Sequence, residues 1–324
     1  MRSLLATLGL TLAYSLLATA AAHAQQGFGE VVETRGPRPD KQQTQLLQIG
    51  MVVTAQGGPC QGIVATAPVP TEWPEQHVDE AKREVAPAVR DVTFRNVGAI
   101  KIMAVSMPFI AAGDDCHTLI TYEVKRYSLL PPKDTTQFVM PNTKKLKSDI
   151  RMFLGPSPNI ESNHAKVRAT AREIVKDHEA AWAKVEAIYD WTREKIKFQS
   201  GSLKNVMQTL KDGTGDSEEL SSLFVALCRA ADVPARLVFV TGPGHCYAEF
   251  YLEDQEGKGY WFPCRPAGNR EFGGIEEFRP IIQKGDNFLI PERPREKLRV
   301  VNEHLTGSGG QPAVKFVREM INAN

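Results

Sequence analysis

The segment from His245 to Leu252 alternates between two kinds of side chain, and this pattern constrains the fold more than any other in the chain. Successive side chains of a β-strand point to opposite faces of the sheet. One face carries the small and apolar residues Cys246, Ala248, Phe250 and Leu252. The other face carries His245, Tyr247, Glu249 and Tyr251. The alternation predicts a strand that separates an apolar core from a more polar environment.

A second strand returns after the polar stretch Glu253–Gly259, which predicts a turn. The apolar faces of the two strands match when Cys246 lies opposite Cys264, and this register also sets His245 opposite Arg265. Cys246 and Cys264 are then either a disulfide or two packed thiols, because cross-strand cysteines often lie too close for an ideal bridge.

The odd number of cysteines leaves at least one of them unpaired within a single chain. Cys60 and Cys116 form a second candidate disulfide, and Cys228 is then expected to be free. No Cys-x-x-Cys sequence and no closely spaced pair of histidines is present. The sequence therefore predicts neither a metal site nor a cofactor.

Helices are expected before this hairpin, where apolar residues recur at helical spacing in Val167–Val175 and in Trp182–Thr192. A third helix is predicted over Ser217–Ala230, with acidic residues at its start and Pro234 beyond its end. Arg236–Val240 then reads as a strand. This arrangement indicates an α+β core in which helices pack on an antiparallel sheet.

The region before these helices is rich in β-branched and aromatic residues, and it predicts a mostly β module of antiparallel strands. Strand candidates are Met51–Val53, Ile100–Phe109 and Thr118–Tyr127. The whole chain divides into a signal peptide (1–24), a flexible lead (25–44), the N-terminal β-rich module (45–150), the core (151–270) and C-terminal strands and helix (271–324). The terminal helix is expected at Ala313–Ile321.

The first residues predict export. Arg2 precedes an apolar run, Leu4–Ala22, and Ala22-His23-Ala24 offers small residues at a signal-peptidase site. The run is short for a membrane-spanning helix, so cleavage after Ala24 is favoured over a membrane anchor. We expect a periplasmic or secreted protein with no membrane partner after cleavage.

The charges of the chain are nearly balanced and interspersed, with 39 lysines and arginines against 38 aspartates and glutamates. Binding to nucleic acid or to an anionic membrane usually relies on a strongly basic surface. The composition therefore argues against both kinds of partner.

Several motifs of the core resemble the transglutaminase-like superfamily, which has a papain-like fold. They are Gly215-Asp216-Ser217-Glu218-Glu219, the run Leu223–Ala230, Val233-Pro234-Ala235-Arg236, the strand His245–Tyr251, and Ile188-Tyr189-Asp190-Trp191. The resemblance extends over roughly residues 150 to 266. It implies a papain/transglutaminase-like core in which a cysteine at a helix N-terminus, a histidine on a facing strand and an aspartate on the next strand carry out acyl transfer.

Two of the three catalytic positions implied by the resemblance are substituted. Ser217 stands at the cysteine position and Arg265 at the aspartate position, while His245 stands at the histidine position. A hydroxyl cannot supply the thiolate of a cysteine–histidine pair, and a cation beside the imidazole disfavours its protonated form. We therefore expect a catalytically degenerate member, with these three residues at the family's triad positions.

Two other interpretations remain open. Ser217 could act as a nucleophile with His245 as its base and Glu249 as the group that orients the base, giving a serine hydrolase or acyltransferase. Alternatively, the cleft could hold a peptide, protein or other ligand without cleaving it, lined also by Asp216, Tyr247, Glu249 and Trp261. Ser217 and Asp216 also suit a purely structural role at a helix N-terminus.

Overall fold

Long antiparallel strands make up the first half of the chain. In the computed structural model, which describes residues 35–242 and 245–321, these strands are β1 (Arg38–Ala55), β2 (Cys60–Val69), β3 (Gln76–Val85), β4 (Asp91–Val97), β5 (Ile100–Ile110) and β6 (Asp115–Leu130). Two strands from the end of the chain join them: β15 (His304–Gly309) and β16 (Pro312–Ile321). The predicted signal peptide lies outside the described residues.

These strands form two four-stranded sheets, in the orders β16-β1-β6-β3 and β15-β2-β5-β4. Alternate residues of β1, from Leu47 to Ala55, are fully buried, and so are inward residues of β2, β5 and β6. All of them belong to one apolar cluster. The two sheets therefore share a core, as expected for antiparallel sheets with one apolar face each.

The second half contains helices, short strands and a third sheet. Its elements are β7 (Phe138–Val139), α1 (Ser148–Arg151), a 3₁₀ turn (Met152–Leu154), α2 (Ala165–Val175), α3 (Ala181–Lys195), β8 (Lys197–Phe198), α4 (Val206–Asp212), β9 (Thr214–Gly215), α5 (Ser217–Ala230), β10 (Ala235–Val240), β11 (Cys246–Asp254), β12 (Gly259–Arg265), β13 (Glu271–Phe272) and β14 (Ile281–Lys284). The third sheet has the order β13-β12-β11-β10-β14.

Helix α5 packs on the apolar face of this sheet. Cys246, Ala248, Phe250 and Leu252 belong to the same buried cluster as the apolar residues of α2, α3 and α5. Trp182 lies between the rings of Phe250, Phe262 and Phe272 at centroid distances of 5.2–5.6 Å. The α+β fold class and the division of β11 into two faces are confirmed.

The hairpin register differs from the predicted one by two residues. Ala248, rather than Cys246, lies opposite Cys264, and Phe250 lies opposite Phe262. The turn sets this register, because the Asp254 carboxylate accepts hydrogen bonds from the backbone N–H groups of Glu256 and Lys258. A shift of two residues preserves the faces of both strands, so the separation of the side chains survives the error.

The predicted disulfides are also absent. All five cysteines are free and buried. Cys246 no longer faces Cys264 because of the register, and Cys60 directs its thiol to the Gly310 carbonyl at 2.6 Å. The structure therefore contains neither predicted disulfide, and its register does not place Cys246 and Cys264 opposite each other as two packed thiols.

Two predictions for the ends of the chain are wrong. Residues from Arg38 onward belong to β1, so the flexible lead does not extend to residue 44. The predicted helix Ala313–Ile321 is instead part of β16, which pairs with β1 from Leu46↔Ile321 to Ala55↔Pro312. The free edge of β1 supplies backbone partners that local helical periodicity does not reveal. From Arg35 onward the chain forms one compact unit.

Candidate functional site

Helix α5 begins at Ser217, the residue predicted to stand at the family's nucleophile position, and a capping box fixes its first turn. The Asp216 carboxylate accepts hydrogen bonds from Glu218 N at 2.8 Å and Glu219 N at 3.1 Å. The Glu219 carboxylate accepts one in return from Asp216 N at 2.8 Å. These bonds satisfy backbone donors that a helix start leaves without partners. Asp216 therefore has a complete structural role.

Ser217 is the first residue of α5 and is half-buried. The loop before it is fixed from both sides. Glu219 also accepts a hydrogen bond from Lys204 N at 2.6 Å, and β9 pairs with β8 through Gly215 and Phe198. A Cβ atom at Gly215 would lie 2.9 Å from the Glu219 Cβ, so the close approach of the loop to the helix requires glycine here.

A thiol does lie against this first turn, but it is not positioned as a nucleophile. Cys246 precedes the hairpin pairs of β11 and is close to Ser221, Glu218 and Asp216 of α5. Burial and the Glu218 carboxylate raise the pKa of the Cys246 thiol far above its ordinary value, and a hydrogen bond with Ser221 only partly opposes this. The thiol is therefore protonated at neutral pH and unreactive.

His245 lies immediately before β11 and is exposed. Partial burial lowers the pKa of its imidazole, the Arg279 and Arg265 charges lower it further, and Glu277 opposes them. The environment thus favours the neutral imidazole. In a cysteine–histidine pair the imidazolium must instead be stabilised.

Arg265 is engaged in two ion pairs. Its Nε lies 3.1 Å from Glu271 Oε2, and its Nη2 lies 3.0 Å from Glu277 Oε2. Arg279 also donates to Glu277, from Nε to Oε1 at 2.9 Å. The two guanidinium groups and the two carboxylates together balance in charge, so Arg265, which is predicted to stand at the family's aspartate position, belongs to a neutralised cluster.

Glu277 is the residue of this region that the sequence did not reveal. It is 5% exposed, and the Arg279 backbone and side chain together with the Arg265 charge lower its carboxyl pKa although burial raises it. The only sequence signal is an acidic residue two positions before Arg279 in the tail. Such a pattern is too common to identify a partner of Arg265.

Glu249 does not lie at an open cleft. Its carboxylate is 2% exposed and contacts Lys284 Nζ at 2.5 Å and Arg236 Nη2 at 2.7 Å. Lys284 Nζ also lies 2.6 Å from Glu75 Oε1. Burial opposes ionisation of Glu249, but the Lys284 and Arg236 charges outweigh it and lower the pKa to about 2. Glu249 is therefore committed to a buried ionic network.

Tyr247 and Trp261 share that side of the sheet. The Tyr247 hydroxyl accepts a hydrogen bond from Arg126 Nη2 at 3.1 Å, and Tyr247 is 1% exposed. The Arg236 guanidinium lies over the Trp261 ring, with its Cζ atom 3.9 Å from the ring centroid. Arg126 belongs to β6, so the face predicted to line a cleft is largely covered by the N-terminal strands.

Among residues 35–242 and 245–321, no group of three or more histidine, cysteine, aspartate or glutamate side chains is arranged to hold a metal ion. Within the same ranges, no helix is both long and apolar enough to cross a bilayer.

Comparisons with known proteins support the predicted fold of this core. The family model of the transglutaminase-like superfamily matches residues 168–266, somewhat less than the predicted 150 to 266. No curated protein matches. A solved structure from Cytophaga hutchinsonii, named "Putative Cysteine Protease", superposes with a TM-score of 0.54 at 17% identity. The match covers 88% of this chain and 93% of that one.

A second solved structure, named "Putative Protease" and from Parabacteroides distasonis, has a TM-score of 0.28 and 14% identity. It covers 71% of this chain and 48% of that one. At these identities the likeness concerns the fold. The family match and the arrangement of α5, β11 and β12 together assign residues 168–266 of this chain to the transglutaminase-like superfamily.

Proposed function

We propose that this chain is an exported transglutaminase-like protein that does not perform acyl transfer by the family's route and that binds a peptide or similar ligand beside Ser217. The ion pairs of Arg265 with Glu271 and Glu277 carry the first part of the proposal. Loss of the orienting aspartate alone lowers turnover by about 10⁴-fold in a well-studied triad. Here that aspartate is replaced by a cation, and the thiol is replaced by a hydroxyl.

No other group described near His245 can take the place of the missing carboxylate. Glu277 is the acidic neighbour that raises the imidazole pKa, but both of its oxygens accept hydrogen bonds from Arg279, and Arg265 also contacts it. Glu249 is held by Lys284 and Arg236. Neither carboxylate is free to orient the imidazole.

Exposed apolar side chains beside Ser217 support the binding role. Phe198 is 61% exposed and its backbone pairs with Gly215, two residues before Ser217. Leu203, in the next loop, is 48% exposed. Large apolar groups that stay in water beside a polar centre are common at ligand sites. A peptide with an apolar side chain would cover them.

One observation favours the alternative, a hydrolase or acyltransferase that uses Ser217 with His245. The lowered pKa keeps the His245 imidazole neutral, which is the form that acts as a general base. The lack of a free carboxylate to orient that imidazole argues against it.

The deciding experiment compares the mature protein with its Ser217→Ala variant on a mixed peptide library, with and without a primary amine, and on a fluorophosphonate probe that labels activated serines. Ser202→Ala, in the neighbouring exposed loop, is the matched control. We expect no product and no label from any of the three proteins. Turnover or labelling that only Ser217→Ala removes would overturn the degenerate reading and establish the alternative.

Binding and export need separate readouts. Phe198→Ala should weaken retention of library peptides on the immobilised protein, whereas Phe109→Ala, which changes a phenylalanine of β5 that is 51% exposed, should not. If neither variant changes retention, the site beside Ser217 is not the binding site.

Export is tested by N-terminal sequencing of protein from the culture medium or periplasm. The sequence of this protein should begin at Gln25, and full-length protein confined to the cytoplasm would contradict export.

A further inference from the structure

The turn that follows α5 helps to line two clefts, and neither cleft is lined by Ser217, His245 or Arg265. The first has a volume of about 410 Å³ and is lined by the loop Leu154–Pro156, by Ser162 and Asn163, and by α2. The second has a volume of about 530 Å³ and is lined by the segment Met140–Lys144 and by α3. Asp232 lines both of them. Both volumes lie within the usual range for small-ligand sites.

The first cleft has two arginines on one wall. Arg168 and Arg172 are four residues apart on α2, and both are exposed. Like charges at this spacing destabilise a helix slightly. Within the described part of the chain, neither guanidinium forms an ion pair, and the Arg172 Nε instead donates to the Arg168 carbonyl at 3.4 Å.

The second cleft has two lysines that likewise form no ion pair within the described part of the chain. Lys144 is exposed and Lys184 is half-buried, and neither ammonium group has an ion-pair partner among the described residues. The two clefts thus present four unpaired cations, and Asp232 is the one acidic residue among the residues that line them.

Several buried or half-buried arginines of the protein, in contrast, are paired with carboxylates. Arg229 also lines the first cleft, but its Nη2 donates to both oxygens of Asp286 at 2.8 Å. Arg265, Arg279 and Arg299 are likewise paired with carboxylates. The carbonyls at the end of α5 accept bonds from the N–H groups of Ala231, Asp232 and Val233, so they do not bind the cations either.

We propose that these clefts bind a small ligand with carboxylate or phosphate groups, one of which lies between Arg168 and Arg172. Guanidinium groups present paired donors that match the oxygens of either anion. The Asn163 amide and the Ser162 hydroxyl, which line the same cleft, supply neutral donors. A second anionic group of the same ligand would reach Lys144 and Lys184. This site does not depend on chemistry at Ser217.

The test is calorimetric titration of the mature protein with inorganic phosphate and, separately, with citrate, which distinguishes the two sources of the anion. Arg168→Gln/Arg172→Gln removes both unpaired guanidinium groups of the first cleft. Because both residues are exposed, the variant should fold, and circular dichroism can check this. Lys166→Gln/Lys176→Gln removes two cations outside the clefts, one from α2 and one from its C-cap, and is the charge-matched control.

We expect saturable binding of at least one probe, weakened about tenfold or more by the arginine variant, which corresponds to about 1.4 kcal/mol. The lysine control should bind as the wild type does. Tighter binding of one probe identifies the anion class. Absence of saturable binding by both probes, or equal binding by the wild type and the arginine variant, would overturn the proposal.

Discussion

Arg265 Nη2 lies 3.0 Å from Glu277 Oε2, and the sequence predicts that Arg265 stands at the aspartate position of the transglutaminase-like family. The ion pair means that the Arg265 guanidinium is already neutralised and is not available to bind an anionic substrate. It is part of a charge-balanced cluster with Glu271 and Arg279. These ion pairs explain how the fold accommodates an arginine at position 265.

Restoring the triad should therefore restore thiol reactivity. In Ser217→Cys/Arg265→Asp the new thiol would lie at the start of α5, where the helix dipole stabilises a thiolate, and the new carboxylate would stabilise the His245 imidazolium. We expect its rate of alkylation by iodoacetamide at pH 6 to exceed that of Ser217→Cys alone by about tenfold or more, equivalent to one pKa unit.

Adding His245→Ala to the restored variant serves as the control and should abolish the gain. Equal rates for Ser217→Cys and Ser217→Cys/Arg265→Asp would show that Arg265 is not what prevents the thiol chemistry.

The imidazole of His245 should titrate below its ordinary pKa in the folded protein, because partial burial and the Arg279 and Arg265 charges disfavour its protonation. The unfolded chain then binds more protons, so His245 favours folding above its ordinary pKa, and this stability is lost as the pH falls through the folded value. NMR titration of the ring protons should show the lowered pKa, and Arg279→Gln should raise it. A pKa at or above the ordinary value would contradict this environment.

The network of Glu75, Lys284, Glu249 and Arg236 should be sensitive to removal of its lysine. Lys284→Met leaves two buried carboxylates with less compensation, and loss of one partner of a buried ion pair costs about 3–5 kcal/mol of unfolding free energy. Urea unfolding measures this cost. Lys315→Met, which removes an exposed pair with Glu319, should cost no more than about 1 kcal/mol.

The same network predicts a dependence on pH. Because Lys284 and Arg236 lower the Glu249 pKa to about 2 despite burial, its stabilisation is present above the ordinary carboxyl pKa and is lost as the pH falls towards 2. Acid unfolding of Lys284→Met should begin at a higher pH than that of the wild type. Coincident acid transitions would show that Lys284 does not stabilise the Glu249 carboxylate.

The cysteines should all titrate as thiols. Burial raises the pKa of Cys228, Cys246 and Cys264, so a disulfide-exchange reagent should react slowly or not at all with the folded protein. In denaturant without reductant, five equivalents should react. A count of three or one would demonstrate bridges that the structure does not contain.

Local periodicity was sufficient to predict the elements that build the core. Helix α5 begins at Ser217 and ends at Ala230 as predicted, because acidic residues favour its start and Pro234 prevents its continuation. The two faces of β11 follow equally from alternation. These features depend on neighbours in sequence.

The environment of the predicted site depends instead on distant residues. The sequence pattern predicts that Tyr247 and Glu249 line a cleft. In the structure, Arg126 of β6 binds Tyr247 and Lys284 of β14 binds Glu249, so both side chains are buried. The sequence of β16 has helical periodicity, but this segment forms a strand because it pairs with the edge of β1. Neither partner could be inferred without the tertiary arrangement, and the triad positions themselves were located only through the family resemblance.

The places of β15 and β16 in two different sheets have a consequence for how the protein folds. β16 pairs with β1 and β15 pairs with β2, so the last described strands complete both sheets of a module that the first described strands begin. Pairing between such distant segments is slow, because a long loop must close before any contact forms. The N-terminal module cannot finish folding while the ribosome still holds β15 and β16, so both sheets remain incomplete until these two strands have emerged.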